Sequence, residues 1–157
     1  MSLEWCSDSM AVPAAVAHGG AGPGPPRQRN VETAIARAAN ILEAGGSAVE
    51  AAVEACVILE DDPVFNAGTG AVYRTDGSVL LDASLHTSDG RMGFVIAMRD
   101  TPNPIRVAAD LLDEEINGLA GNGARAWADS KGHPKAAVDG RPPRVGVGDT
   151  VGVIARD

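Results

Sequence analysis

The chain has 157 residues, of which 45% are apolar and 22% charged, and its net charge is −8 at pH 7. This length is typical of one domain with a real hydrophobic core, and the composition argues against a chain that is disordered throughout. Because the net charge is negative and Lys and Arg form no cluster, the sequence also argues against binding to nucleic acid.

We expect no targeting signal in the N-terminal segment. It has no basic region, and the apolar run at residues 11–17 is short and contains Pro13, so we expect neither a signal peptide nor a membrane span. Residues 1–10 are predicted to be a leader or a tag remnant outside the fold. Cys6 and Cys56 have neither metal-ligand spacing nor a disulfide framework, which favours a reducing, cytoplasmic compartment.

The first predicted elements are a strand at residues 11–17, a Gly/Pro-rich loop at residues 19–26 and a helix. Asn30 is the predicted N-cap of this helix, and Gly45 and Gly46 end it. Apolar residues recur between these limits at helical spacing, namely Ala34, Ile35, Ala38, Ile41 and Leu42.

A second helix is predicted directly after the first. Ser47 lies three residues before Glu50, which is the spacing of a capping box, and an apolar stripe continues to about Glu60. Pro63 ends the pattern. The two helices are expected to pack against each other.

Strands are predicted next. Residues 71–74 and 79–83 are separated by the turn sequence TDGS, which predicts a hairpin, and residues 93–99 predict a third strand. A helix capped by Asn103 and another at residues 121–130 follow. The Gly/Pro-rich segment 131–149 predicts a mobile linker that leads to a final strand after Thr150. Together these elements predict an α+β fold with helices stacked on one face of a mostly antiparallel sheet.

Several motifs occur in a fixed order: AHGGAG, then ILEAGGSAVEAAVEACVILEDDPVFNAGTGAV, then LLDASL, NPIRVAADLL and GDTVGV. As a set they resemble the plant-type asparaginase and isoaspartyl peptidase family of N-terminal nucleophile hydrolases. The resemblance extends from Val16 nearly to the end of the chain, and FNAG and DTVG are its most specific pair.

The resemblance implies the N-terminal half of an αββα sandwich. Such proteins are made as inactive precursors that cut themselves before a threonine, which here places the cut between Asp149 and Thr150. Residues 11–149 would then form the first subunit, and residues 150–157 would begin the nucleophile subunit.

The chemistry of such a threonine follows from its two functional groups. Once Thr150 is a chain terminus, it carries both a hydroxyl nucleophile and an α-amino base, whose pKa of about 7.7 to 8.0 leaves it partly neutral near physiological pH. The implied reaction is hydrolysis of the side-chain amide of L-asparagine or of the β-linked bond in isoaspartyl dipeptides, without an organic cofactor or a catalytic metal.

Other positions match the family's supporting residues. Asn66 is implied to orient the threonine region, and Gly19 and Gly20, which follow His18, to shape the environment for self-cleavage. A structural sodium ion is implied at the main-chain carbonyls of Leu59, Glu60, Asp62, Phe65, Ala67 and Thr69.

Each of these residues also has an ordinary structural interpretation. Thr150 alone would be a strand residue, and Asn66 alone a turn residue. Asp61 and Asp62 resemble a carboxylate pair, but they are predicted to be the solvated end of a helix. It is the set of motifs that favours the catalytic interpretation of Thr150.

The sequence also departs from the family. The stretch LHTSDG after LDAS is longer and more polar than usual, and the segment before Thr150 is short. The donors to the oxyanion and the Arg and Asp that bind the substrate's α-carboxylate and α-amino groups are expected after residue 157. Loss of one such donor alone typically costs two to three powers of ten in turnover, so we expect the 157 residues alone to be inactive.

Two interpretations follow. In the first, the chain is a portion of an asparaginase-type hydrolase whose partners are a small β-aspartyl substrate, the remaining catalytic subunit and further copies in a homo-oligomer, with neither nucleic acid nor membrane involved. In the second, it is an inactive homologue that acts as an interaction or scaffold module. In both, we expect apolar sheet surface to be exposed.

Overall fold

The computed structural model describes residues 12–21, 27–143 and 150–157. The described residues form strands and helices in this order: β1 (Ala14–His18), α1 (Gln28–Glu43), α2 (Ala48–Asp61), β2 (Leu81–His86), β3 (Met92–Met98), α3 (Pro104–Asp110) with a 3₁₀ turn (Leu111–Asp113), β4 (Gly118–Ala120), α4 (Gly121–Ser130) and β5 (Gly152–Arg156). These elements confirm the predicted α+β class.

The start of α1 differs from the prediction. The helix begins at Gln28, and Arg27 occupies the N-cap position, so the expected cap at Asn30 is wrong. The Asn30 side chain is engaged elsewhere, because its Nδ2 donates a hydrogen bond to Asp62 Oδ2 at 2.6 Å. Asn30 therefore ties the first helix to the end of the second.

The predicted boundary between α1 and α2 is confirmed. The Gly46 amide donates to the Ile41 carbonyl at 2.9 Å, and Gly45 has a φ of 82°, as in a Schellman motif. Ser47 Oγ then accepts a hydrogen bond from the Glu50 amide at 3.1 Å and caps α2. This short connection makes the two helices antiparallel neighbours.

The predicted hairpin between residues 71–74 and 79–83 is wrong. The TDGS sequence does form a turn, in which the Arg74 amide donates to the Ser78 carbonyl at 2.8 Å. Residues 71–73, however, form main-chain hydrogen bonds with Arg141, and the observed hairpin joins β2 to β3.

The turn of the observed hairpin lies in the polar stretch LHTSDG. The Thr87 amide donates to the Arg91 carbonyl at 3.0 Å, and Gly90 has a φ of 90°, which a residue without Cβ adopts most easily. Among the described residues, Asp76–Gly77 and Asp89–Gly90 both lie in turns, and the second of these turns connects two paired strands.

The strands of the described residues form two separate sheets. β1 pairs with β5 in antiparallel orientation, so the strand predicted after Thr150 is confirmed. β2 and β3 are antiparallel, and the short β4, which was not predicted, lies parallel to β3.

Helices cover one face of each sheet. α1 and α2 pack on the β1–β5 pair, and α3 and α4 pack on the other sheet. The buried side chains beneath α1 and α2 are small or aliphatic with one aromatic ring: Ala34, Ala38, Ile41, Leu42, Ala51, Ala55, Leu59 and Phe65. Ala residues let helices and strands approach closely, as the low aromatic content predicts.

The opposite faces of the sheets carry exposed apolar side chains. Val16 on β1 is 67% exposed, Ile154 on β5 is 76% exposed and Ile96 on β3 is 50% exposed. The expected exposure of apolar sheet surface is therefore confirmed for the described part of the chain. Among the described residues, no helix has the length and apolarity needed to cross a membrane.

Candidate active site

A cleft of about 1080 Å³ is lined by residues of both sheets and of the loop that follows α2. Its polar lining includes Asn66, Asp82, Ser84, His86, Arg141 and Thr150. A concave site of this size with a few convergent polar groups is the usual form of a small-molecule binding site.

Thr150 enters the cleft next to β5. The register of the first sheet places Gly152 opposite His18, so the residues around Thr150 are positioned by pairing with β1. The neighbouring Val151 side chain packs against the core beneath α1 and α2. The Thr150 hydroxyl is exposed, and its 3.5 Å contact with the Val151 carbonyl is long for an O–H···O hydrogen bond. This hydroxyl is therefore accessible from the cleft.

Asn66 lies in a loop at residues 62–71, hereafter the Asn66 loop. Its Oδ1 accepts a hydrogen bond from the Val72 amide at 2.8 Å, which fixes the side-chain orientation. A Cβ at Gly68 would lie 2.4 Å from the Glu60 carbonyl oxygen, and one at Gly70 would lie 2.4 Å from the Pro63 carbonyl oxygen. The loop is thus so tightly folded that both positions require glycine.

The glycines after β1 lie beside this loop. A Cβ at Gly19 would be 2.4 Å from Phe65 Cε1, so only glycine fits against that buried ring. The Arg27 side chain contacts both Gly19 and Phe65. Its Nη1 donates to the Gly19 carbonyl at 3.4 Å, and its guanidinium lies 5.9 Å from the Phe65 ring centre. Gly20 has a φ of 89°, and its amide donates to His18 Nδ1 at 3.2 Å. The end of β1 and the Asn66 loop therefore form one packed unit.

Glu60 is a buried acid in the cleft wall, and its sequence position predicted only a main-chain role. Its side chain is 3% exposed, and Oε1 accepts a hydrogen bond from the Ile105 amide at 3.2 Å. Oε2 is buried and has no hydrogen-bond partner among the described residues. Burial raises the pKa of Glu60 to about 8, although the bond from Ile105 favours the ionised form. The neutral acid is therefore favoured near neutral pH.

The six carbonyls of the implied sodium site lie at the end of α2 and in the Asn66 loop. The Glu60 carbonyl accepts a hydrogen bond from the Thr69 amide at 2.8 Å, which brings the two ends of this segment together. Pro63 has no amide hydrogen, so the Leu59 carbonyl lacks its i+4 helical donor. A hard cation prefers such oxygen ligands, so the Leu59 carbonyl is compatible with the sodium ion that the resemblance implies.

The environments of Cys56, Asp61 and Asp62 favour structural roles for these three side chains. Burial raises the pKa of the Cys56 thiol far above its usual range, so Cys56 is not an activated nucleophile. Asp61 and Asp62 accept hydrogen bonds from Asn103 and Asn30. Within the described residues, no three His, Cys, Asp or Glu side chains are grouped to hold a metal ion.

The structure thus brings most of the predicted site residues to one region. Thr150 and Asn66 line the same cleft, and Gly19 packs on Phe65 of the Asn66 loop. Asp149, on the other side of the predicted cut, lies outside the described residues. Arg141 also lines the cleft and was not predicted, because nothing in its local sequence indicates which loop it contacts.

Comparisons with known proteins show which family the chain resembles. A family model described as Asparaginase matches residues 12–141. A protein of Macaca fascicularis named isoaspartyl peptidase/L-asparaginase is 42% identical over 134 residues, which are 78% of this chain and 42% of that protein. Proteins of the same name from Homo sapiens and Synechocystis are 41% and 39% identical, covering 78% and 62% of this chain and 42% and 30% of their own lengths. The chain therefore spans less than half the length of these relatives.

Proposed function

Because the chain belongs to the asparaginase family, we propose that it is part of a hydrolase that cleaves the side-chain amide of L-asparagine or the β-linked bond of isoaspartyl dipeptides. Thr150 is its nucleophile, freed by self-cleavage after Asp149. The observation that carries the proposal is the cleft lined by both Thr150 and Asn66 in a chain that matches this family.

In the proposed mechanism, Thr150 supplies both the general base and the nucleophile. After cleavage, the neutral α-amino group of Thr150 takes the proton of its own hydroxyl as Oγ1 attacks the substrate's carbonyl. Ammonia or an amine leaves, and water hydrolyses the resulting β-aspartyl ester to regenerate the hydroxyl. The exposed hydroxyl of Thr150 supports this role, because a substrate in the cleft can reach it.

Asn66 and the glycines before the first helix have supporting roles in this proposal. The Asn66 side chain orients the threonine region through its amide, and its Oδ1 is already held by Val72. Gly19 and Gly20 give the chain beside Phe65 the shape that self-cleavage requires.

A sodium ion bound by the carbonyls at the end of α2 and in the Asn66 loop would have a structural role. It would rigidify the loop that carries Asn66 and would take no part in bond breaking. We therefore expect unfolding temperature, rather than turnover chemistry, to respond to replacement of sodium by a large organic cation.

The rest of the active site is proposed to lie in the part of the family polypeptide that this chain does not span. That part supplies the oxyanion donors and the Arg and Asp that bind the substrate, and its sheet covers the exposed Val16 and Ile154 to complete an αββα sandwich. The assembled enzyme is proposed to be a homo-oligomer in the cytoplasm, where the Cys56 thiol stays reduced.

The test is hydrolysis of L-asparagine and of a β-aspartyl dipeptide by protein expressed from the complete reading frame. We expect release of ammonia or of the amino acid, abolished by Thr150→Ala. A folded protein that hydrolyses neither substrate would contradict the proposal. So would the absence of a Thr/Gly-rich segment and an Arg/Asp pair from both the reading frame and any neighbouring gene.

A further inference from the structure

Residues 131–141, hereafter the strap, run from the end of α4 to the Asn66 loop without regular secondary structure. Their first anchor is the buried Arg125 side chain, which is 6% exposed. Its Nη2 donates to the His133 carbonyl at 3.1 Å, and its Nη1 donates to Thr101 Oγ1 at 2.5 Å. The His133 ring is also bound, with Nε2 2.9 Å from Asp110 Oδ2. The start of the strap is therefore fixed to α3 and α4.

The far end of the strap is anchored to the residues that follow Asn66. The Gly70 amide donates to the Asp139 carbonyl at 2.7 Å, the Arg141 amide donates to the Ala71 carbonyl at 2.9 Å, and the Tyr73 amide donates to the Arg141 carbonyl at 3.0 Å. The Arg141 side chain adds a fourth bond, from Nε to the Gly70 carbonyl at 2.7 Å. Four hydrogen bonds within so few residues give a specific register.

These bonds lie on one side of residues 70–73 and Asn66 lies on the other. The Val72 amide, between the two residues that bind Arg141, donates to Asn66 Oδ1 at 2.8 Å. Successive main-chain groups in an extended segment point to opposite sides, so the segment bridges the strap and the Asn66 side chain. A shift of the strap would therefore move the amide that orients Asn66.

We propose that the strap, anchored by Arg141, sets the orientation of the Asn66 side chain and that Arg141 is a positioning residue for the cleft. Arg141 acts through the main chain of residues 70–72. The importance of this arrangement for catalysis rests on the proposed function, whereas the arrangement itself can be measured separately.

Two variants disturb the strap in different ways. Arg141→Ala removes the bond to the Gly70 carbonyl. Gly140→Ala leaves that side chain in place but puts a Cβ 2.6 Å from Val79 Cγ2 and 2.9 Å from the Ala71 carbonyl oxygen, so the strap must move. Arg141→Lys retains a positively charged donor, and Arg29→Gln removes a charge from an exposed position on α1 as the matched control.

The experiment measures amide hydrogen exchange at Val72 and Tyr73 and the NMR shift of the Asn66 side-chain amide. The intact mass of each sample is recorded to follow self-cleavage. In Arg141→Ala and Gly140→Ala, exchange at both amides should be about fivefold to tenfold faster, as expected when one hydrogen bond is lost. The Asn66 signal should move and self-cleavage should slow, whereas Arg141→Lys should recover part of each change and Arg29→Gln should show none.

Unchanged exchange at residues 72 and 73 in both strap variants would overturn the proposal. Faster exchange with an unmoved Asn66 signal would also overturn it, because the strap would then not position that side chain. If wild-type protein expressed from the complete reading frame stays uncut while the strap variants move the Asn66 signal, the positioning role stands and the proposed function fails.

Discussion

Gly19 and Phe65 pack so closely that no larger residue fits at position 19. A Cβ there would lie 2.4 Å from Phe65 Cε1 and 3.1 Å from Val31 Cγ2. Since Phe65 is fully buried and directly precedes Asn66, this contact joins the loop after β1 to the cleft.

Gly19→Ala should therefore destabilise the fold. Overpacking of this kind typically costs about 1 to 3 kcal/mol, because neighbouring side chains must leave their preferred rotamers. Thermal unfolding would measure the loss. The matched control is Gly123→Ala on α4, where an added Cβ meets nothing within 4 Å and helix propensity predicts a gain of about 0.5 to 1 kcal/mol. Equal unfolding temperatures for the two variants would contradict the packing account.

Two substitutions of Asn66 should distinguish its contribution to stability from its contribution to self-cleavage. Asn66→Ala leaves the Val72 amide without its acceptor and should cost about 1 kcal/mol of stability. Asn66→Asp retains an acceptor for that amide, so it should keep the bond to Val72, but it loses the side-chain NH₂ group. If that NH₂ group orients the threonine region, both variants should slow self-cleavage by about 10²-fold, because misplaced reacting groups typically lower a rate by this factor. Normal self-cleavage by Asn66→Asp would exclude this role.

Asp89, in the turn between β2 and β3, should make a pH-dependent contribution to the stability of the fold. Hydrogen bonds from the Thr87 hydroxyl and from the amide and side chain of Arg91 lower the pKa of Asp89 from 3.8 to about 2. A carboxyl group with a lowered pKa in the folded state stabilises the fold above its unfolded pKa, and that contribution is lost as pH falls from about 4 through 2.

Urea unfolding of the wild type and of Asp89→Asn would test this. The difference between their midpoints should be largest above pH 4 and should shrink toward pH 2, whereas Glu43→Gln, at an exposed position on α1, should not reproduce this pattern. A difference that is constant with pH would mean that ionisation of Asp89 does not contribute.

Cys56 should react slowly with alkylating agents. Burial raises its thiol pKa, so little thiolate is present at neutral pH. In a Cys6→Ser background, labelling by iodoacetamide followed by mass spectrometry should be slow in the folded protein and fast in urea. Rapid labelling of the folded protein would show that the α2 face carrying Cys56 opens readily.

The sequence predicted the parts of the fold that depend on local signals. The Ser47 cap and the Gly45 terminus are correct because each depends on residues within one turn of the chain. The hairpin was placed at the wrong Asp-Gly turn, because local sequence alone does not show that residues 71–73 bind Arg141 rather than a neighbouring strand.

The candidate site was predicted only in part for the same reason. Thr150 and Asn66 carry motif signals, but their common cleft depends on the distant pairing of β1 with β5. Glu60 also has a sequence signal, because it continues the stripe of Val53, Cys56 and Val57 on α2, which places an acid on the buried face. A charged residue at such spacing indicates a buried polar contact.

The central claim is that Thr150 becomes a chain terminus, and the most direct measurement is the intact mass of freshly purified protein. The account predicts two fragments, one ending at Asp149 and one beginning at Thr150, in the wild type and in Thr150→Ser, with only uncut chain in Thr150→Ala. A wild-type protein that hydrolyses a β-aspartyl substrate while its chain remains uncut at Thr150 would contradict the account.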